Sequence, residues 1–120
     1  MARLASVDPN GAPHVVPVCP VLDGERILIA SDPNAKIRFL RENPRCAVVF
    51  DSYVEEWNLN HQVQIRGTAR IFADGPDWER AKALLDEKFR QYEPMFPLTA
   101  GETLMVEVTI ERVTSEGFPA

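Results

Sequence analysis

The sequence predicts a mainly β protein, a closed or partly closed antiparallel barrel of about six strands with two helices. Two observations predict this class. The first three strand-like runs are joined by turns too short for a helical crossover, which excludes a parallel arrangement there. Later segments alternate apolar and polar residues over strand-like lengths, and a helix is inserted among them. A chain of 120 residues fits one such unit, so we assign residues 1–120 to a single domain.

The amino-terminal third is predicted to be an antiparallel meander. Its three strands span residues 3–7, 14–22 and 26–30. The turn sequences Asp8-Pro9-Asn10-Gly11 and Asp23-Gly24 separate them. The second strand contains Pro17 and Pro20, and proline cannot donate a ladder hydrogen bond. We therefore expect that strand to lie at a sheet edge or to carry a bulge.

A short helix is predicted after the meander. Ser31 or Asp32 can cap its amino end, and Pro33 suits the first helical position. Asn43-Pro44 ends the helix after about two and a half turns. The apolar run at residues 46–50 then predicts a buried strand.

The second half of the chain predicts a long strand, a helix and a final strand. Residues 62–72 alternate, with Val63, Ile65, Ala69 and Ile71 on one face and Gln62, Gln64, Arg66, Thr68 and Arg70 on the other. Pro76 and Asp77 open a helix that is predicted to run to about residue 92. Its core-facing stripe is Trp78, Ala81, Leu85, Phe89 and Tyr92. The last strand is predicted at residues 103–113.

Composition and charge exclude several classes of function. A net charge of −5 argues against nucleic acid as a partner. No apolar run reaches the roughly 18 residues of a membrane helix, and the start has no signal-peptide pattern, so we expect a cytoplasmic protein with no membrane partner. His14 and His61 lack metal-ligand spacing with each other or with Cys19 and Cys46, so no metal site is predicted.

Two groups of polar residues are candidates for a site. Gln62, Gln64 and Arg66 form either a solvated sheet face or a hydrogen-bonding wall against a planar ring or a dimer partner. Lys36 and Arg38 lie at a helix start, where backbone N–H groups and positive charge can bind phosphate. An ordinary surface helix explains the same two residues. No grouping of Ser, His and Asp has the spacing of a nucleophilic triad.

Four segments, at residues 2–18, 22–31, 35–50 and 61–71, together resemble the pyridoxamine 5′-phosphate oxidase-like superfamily in their order and spacing. The resemblance implies a six-stranded split barrel of the FMN-binding type that forms a homodimer, with two cofactors in clefts between the subunits. It implies seven cofactor-binding positions: Val16, Pro17 and Val18 along the cofactor, Ala30, Ser31 and Lys36 at its phosphate, and Gln62 at its ring.

The resemblance implies a flavin-type oxidoreductase that transfers hydride to a small-molecule substrate, with the chemistry supplied by the cofactor. No residue is assigned as catalytic. Vitamin-forming members carry an arginine near Val16 and a Trp and Arg segment at the carboxyl end, which this chain lacks, so pyridoxine phosphate oxidase activity itself is not expected. Members of the superfamily usually have a helix ahead of the first strand, so we expect either a shorter domain here or a native chain that starts before residue 1.

Two alternatives stay open at this point. Residues 7–18 and 51–57 also resemble members that use an 8-hydroxy-5-deazaflavin coenzyme, so a deazaflavin-dependent reductase is one alternative to FMN. The other is a non-enzymatic module that binds flavin or haem. A haem site would need an axial ligand, for which His14 and His61 are the candidates.

Overall fold

The structure is a computed structural model that describes residues 2–52, 55–56, 58 and 60–117. Seven strands and three helices lie in this part of the chain. They are β1 (Ala2–Val7), β2 (Pro13–Val18), β3 (Pro20–Asp23), β4 (Arg26–Ser31), α1 (Ala35–Glu42), β5 (Arg45–Ser52), β6 (His61–Phe72), α2 (Pro76–Lys88), α3 (Tyr92–Met95) and β7 (Leu104–Glu116).

The strands form one antiparallel sheet in the order β2-β1-β5-β6-β7-β4-β3. The edge strands β2 and β3 are consecutive in the chain, with Cys19 alone between them. In a flat sheet these edges would lie about 29 Å apart, which is six interstrand spacings. Two Cα–Cα steps reach at most about 7.6 Å. The sheet must therefore curl until its edges meet, which makes it a split barrel.

The strand count differs from the prediction of six. Residues 14–22, predicted as one strand, are divided at Cys19 into β2 and β3. Val18 pairs with Ala2 of β1, whereas Pro20 pairs with Ile29 of β4, so the chain leaves one edge of the sheet and joins the other. The expected edge position of the proline-containing strand is confirmed, because both β2 and β3 are edge strands.

Two details of the helices correct the prediction. The first helix begins at Ala35 rather than Pro33, and its N-cap is Asn34 in place of Ser31 or Asp32. Ser31 is instead the last residue of β4, because it pairs with β7. The second predicted helix ends at Lys88, and the separate short helix α3 follows, so the described part of the chain has three helices where two were predicted. None of the described helices is long and apolar enough to cross a membrane.

Two apolar cores lie on opposite sides of the sheet. The inner core fills the barrel and includes Ile37 and Leu40 of α1. The outer core lies between the sheet and α2, where Trp78, Ala81 and Leu85 pack against Leu28 of β4 and Met105 of β7. This confirms the first three residues of the predicted core-facing stripe, whereas Phe89 and Tyr92 follow the end of α2 and are partly buried against the same core. The predicted division of residues 62–72 into an apolar and a polar face is also confirmed, since Val63, Ile65, Ala69 and Ile71 all belong to the inner core.

Candidate functional site

A groove of about 750 Å³ lies where the end of β2, the end of β4, the start of α1 and the segment after α2 meet. We call it the Lys36 groove. Its lining includes Pro17, Val18, Ala30, Ser31 and Lys36, which are five of the seven predicted cofactor-binding residues, together with Asp32. The strand division at Cys19 and the turn into α1 bring these residues together.

Lys36 has an unusual setting for a lysine. Its side chain is buried, with 8% of the residue exposed. The Nζ atom donates a hydrogen bond of 2.5 Å to Ser31 Oγ, and that hydroxyl donates to the carbonyl of Asp32. No carboxylate lies within ion-pair distance of Lys36 Nζ in the described part of the chain. A buried ammonium without a counter-ion is costly, so this arrangement favours an anionic ligand.

Burial lowers the pKa of Lys36 below its ordinary value of 10.5, and the nearby Asp32 opposes this shift. The amino end of α1 adds positive character beside the lysine. The carbonyl of Asn34 accepts hydrogen bonds from the N–H groups of Ile37 and Arg38, but its side chain makes no capping bond. The first N–H groups of the helix are therefore not capped by this side chain, and helix amino ends bind anions.

A smaller groove of about 290 Å³ adjoins the first and shares Pro17 and Lys36 with it. Val16, the sixth predicted residue, lines this smaller groove together with His14. The His14 ring packs edge-on against Phe39 with centroids 5.1 Å apart, and its Nδ1 atom is buried without a hydrogen-bond partner among the described residues. Six of the seven predicted residues thus form one continuous surface around Lys36.

Gln62, the seventh, lies elsewhere in the chain. It lines a separate pocket of about 520 Å³ with Arg3, Asp51 and Glu116, where Arg3 and Asp51 form an ion pair of 2.6 Å. Gln62 Nε2 donates to Glu116 Oε2 at 3.4 Å. Val63 follows Gln62 in β6 and lies in one row across the sheet with Val18 of β2. The residues between them in this row are Phe50 of β5 and Ala2 of β1. Three interstrand spacings separate the two ends of this row, about 14 Å along the sheet.

The outer surface of the barrel has two unlike halves. Helix α2 covers the half formed by β4 and β7. The half formed by β2, β1, β5 and β6 has no helix over it in the described part of the chain and carries a shallow pocket of about 280 Å³. Val15, Ala5 and Ala47 lie in one row of this surface, and Val15 is 60% exposed. We call this surface the open face.

Part of the lining of the Lys36 groove was not predicted. It is formed by Tyr92, Met95, Phe96 and Leu98. The sequence places these residues in a proline-interrupted loop, and no periodic pattern indicates where such a loop packs. His14 was predicted as an ordinary strand-face residue. Period-two alternation does place it on the inner face with Val16 and Val18, which is the signal that could have identified it.

The segment at residues 51–57, which resembles deazaflavin-dependent members, is described only in part. Its residues outside the described ranges are Tyr53, Val54 and Trp57. Within the described ranges, no group of three or more His, Cys, Asp or Glu side chains could hold a metal ion. Burial raises the pKa of the Cys46 thiol to about 11, so this thiol stays protonated at neutral pH.

A family model described as pyridoxamine 5′-phosphate oxidase matches residues 1–116. No curated protein sequence matches the chain. Among solved structures, a conserved hypothetical protein of Mycobacterium tuberculosis superimposes with a TM-score of 0.81 at 19% identity, covering 99% of this chain and 81% of that one. An FAD-binding protein of Mesorhizobium loti superimposes with a TM-score of 0.79 at 22% identity, and the match covers 95% of this chain and 83% of that one. The haem storage protein HutZ of Vibrio cholerae superimposes with a TM-score of 0.80 at 18% identity, and the match covers 94% of this chain and 83% of that one.

Proposed function

The chain belongs to the pyridoxamine 5′-phosphate oxidase family, and from this premise we propose that it is an oxidoreductase that binds FMN with its phosphate at Lys36. The observation that carries the proposal is the buried, unpaired ammonium of Lys36 in a groove that also holds Ser31 and the amino end of α1. Asp32 also lines this groove but forms no ion pair with Lys36, so a phosphate dianion would supply the close counter-charge that the ammonium lacks. It also accepts hydrogen bonds from the lysine and from free backbone N–H groups.

The residues of the groove bind and orient the cofactor. Lys36 neutralises the phosphate, and Ser31 fixes the direction of the ammonium through its 2.5 Å hydrogen bond. Pro17 and Val18 offer an apolar edge along which a ring system can lie. The bound flavin supplies hydride transfer, and the protein contributes orientation and exclusion of water. No side chain is assigned as acid or base in this scheme.

A homodimer accounts for the separate position of Gln62. Within one chain, the Lys36 groove and the pocket at Gln62 share no described lining residue. Gln62 lies at one end of the open face, whose apolar row around Val15 is exposed. We propose that a second copy of the chain covers the open face. Gln62 of one subunit would then meet the ring of the flavin bound at Lys36 of the other.

The first test is Lys36→Ala. The substitution removes a charge-assisted contact with the phosphate worth about 1.5–3 kcal/mol, which is roughly ten- to a hundredfold in affinity. We expect the dissociation constant of FMN, measured by quenching of flavin fluorescence, to rise by that factor. The same titration with 8-hydroxy-5-deazaflavin coenzyme distinguishes the two cofactors by their affinities for the unchanged protein.

Arg38→Ala is the matched control for this test. Arg38 is a cation on the same helix, two residues along the chain, but its side chain is exposed. We expect its removal to change the FMN dissociation constant by less than about threefold, because solvent screens an exposed charge. Equal effects of the two substitutions, or no effect of Lys36→Ala on either cofactor, would place the phosphate elsewhere.

Haem binding is the second candidate function, and His14 favours it. His14 lines the smaller groove beside Lys36, and its buried Nδ1 atom has no hydrogen-bond partner among the described residues; an imidazole nitrogen is a common axial ligand of haem iron. If this function holds, the unchanged protein takes up haemin with a Soret band that His14→Ala abolishes. Uptake of FMN without any haemin spectrum would decide for the flavin.

A further inference from the structure

The two grooves that share Lys36 differ in their charges. Asp32 lines the larger groove, so a phosphate bound there meets a carboxylate. The smaller groove, of about 290 Å³, has no acidic residue in its lining among the described residues. Its lining is His14, Val16, Pro17, Asn34, Ala35 and Lys36. Because like charges repel, the smaller groove is the more favourable place for a phosphate dianion beside Lys36.

The amino end of α1 contributes backbone donors to the smaller groove. The N–H groups of Ile37 and Arg38 donate to the carbonyl of Asn34, at 3.1 and 3.2 Å. The two preceding N–H groups, those of Ala35 and Lys36, have no hydrogen-bond acceptor among the described residues. Both of these residues line the groove. Free N–H groups at a helix start bind anions, and the Lys36 ammonium adds a full positive charge to them.

His14 lies beside this helix end. Its ring packs edge-on against Phe39 of α1, with ring centroids 5.1 Å apart. Phe39 lies four residues after Ala35, so both are on one face of the helix, and His14 lines the groove together with Ala35. His14 is partly exposed, whereas its Nδ1 atom is buried and has no hydrogen-bond partner among the described residues. A neutral imidazole carries one proton, and the lack of an acceptor at Nδ1 favours that proton on Nε2.

We propose that the phosphate of the cofactor lies in the smaller groove and that the His14 imidazole binds it through its Nε2–H group. This inference rests on the proposed function, because it takes Lys36 as the cation that binds the phosphate. The phosphate accepts hydrogen bonds from His14, from Lys36 and from the free N–H groups of α1. A flavin without a phosphate cannot make these contacts, so His14 selects the phosphorylated cofactor.

The test compares FMN with riboflavin, which has the same ring and side chain but no phosphate. A hydrogen bond to a charged group accounts for about ten- to a hundredfold in affinity, so we expect His14→Ala to raise the dissociation constant of FMN by that factor. The dissociation constant of riboflavin should change by less than about twofold, which also shows that the groove is still folded. Fluorescence titration measures both constants.

His14→Gln is the matched variant for this test. The Gln amide nitrogen is as many bonds from Cα as the imidazole Nε2 atom, and it donates a hydrogen bond. We expect His14→Gln to keep the dissociation constant of FMN within about threefold of its original value. If His14→Gln weakens FMN as much as His14→Ala does, the imidazole makes no such hydrogen bond and the inference is wrong.

The other outcomes separate this inference from the proposed function. If Lys36→Ala weakens FMN but His14→Ala does not, the phosphate lies at Lys36 and the role of His14 is wrong. If His14→Ala weakens FMN and riboflavin equally, His14 does not contact the phosphate. If Lys36→Ala leaves the affinity for FMN unchanged, the phosphate position itself is wrong and the inference is overturned with it.

Discussion

Lys36 combines a long, flexible side chain with a position that removes most of its water. The lysine stem can reach Ser31 because α1 starts at Ala35, only four residues after the end of β4. Burial lowers the pKa of the ammonium, so the free protein holds this proton less tightly than an exposed lysine does. A bound phosphate reverses the effect because it stabilises the charged form.

This coupling predicts a pH dependence of cofactor binding. In the free protein Lys36 loses its proton as pH rises through its lowered pKa, whereas a bound phosphate raises that pKa again, so there is a window in which the ammonium is charged only in the complex. Binding in that window therefore requires proton uptake, and we expect FMN affinity to fall as pH rises through it. The measurement is a series of fluorescence titrations from neutral to alkaline pH.

The comparison for this series is Lys36→Arg. A guanidinium stays charged throughout the same range, so its affinity for FMN should change little with pH. If the arginine variant loses affinity with pH as steeply as the unchanged protein, another group is titrating and Lys36 is not the cause.

At single positions, the sequence predicts which residues lie together better than it predicts burial. The resemblance groups Ala30, Ser31 and Lys36, and these residues do line one groove. Their role at a phosphate stays a prediction. Periodicity cannot show that Lys36 is buried, because its helix is only eight residues long and the residues that pack into the inner core are Ile37 and Leu40. For Phe96 no local pattern exists at all, since its position depends on how the loop after α2 returns to β7.

At the scale of elements, the pairing of β6 with β7 depends on a close approach at Gly67. The register between these strands shifts between Arg66 and Gly67. A Cβ atom at Gly67 would collide with the backbone oxygen of Thr109 and lie 2.8 Å from Val108 Cγ1. Only glycine permits the strands to approach this closely.

Gly67→Ala should therefore destabilise the barrel. The colliding oxygen belongs to the backbone of β7, which cannot move without disturbing its pairing with β4, so we expect the free energy of unfolding to fall by about 2–3 kcal/mol or more. Urea denaturation measures this change. Thr68→Ala, one residue along β6, loses only an exposed hydrogen bond to Glu111 and should cost less than about 1 kcal/mol. Equal losses in the two variants would contradict the steric argument.

The sequence predicts most elements because their patterns are local. Alternation over residues 62–72 and the proline at the start of α2 are sufficient for β6 and α2. The division between β2 and β3 could not be predicted, since the residues on both sides of Cys19 have the same strand-like composition. What divides them is the change of partner from β1 to β4, which is a property of the closed sheet.

At the scale of the whole molecule, the two halves of the barrel surface have different coverings. Helix α2 buries one half within the chain, through Trp78 and its neighbours. The open face keeps Val15 exposed and ends at Gln62, about 14 Å along the sheet from β2 by interstrand spacing. A dimer through the open face would bury this apolar surface and bring Gln62 to the second subunit's cofactor.

A site shared between subunits predicts that two defective variants restore each other. In a hybrid of Lys36→Ala and Gln62→Ala chains, one of the two sites combines an unchanged Lys36 with an unchanged Gln62. If each site instead lies within one chain, every site in the hybrid carries a substitution. Co-expression with two different tags and purification on both isolates the hybrid. We expect it to bind one FMN per dimer with the affinity and absorption spectrum of the unchanged protein, as measured by absorption titration.

The control adds Val15→Arg to both chains. A charge in the apolar row of the open face should separate the subunits, as measured by light scattering, and should remove the restored site. Leu22→Arg, at a similarly exposed position on β3, should leave the restored site intact. A hybrid with no site of unchanged affinity would refute the shared site, and Gln62 would then return to the solvated face of β6.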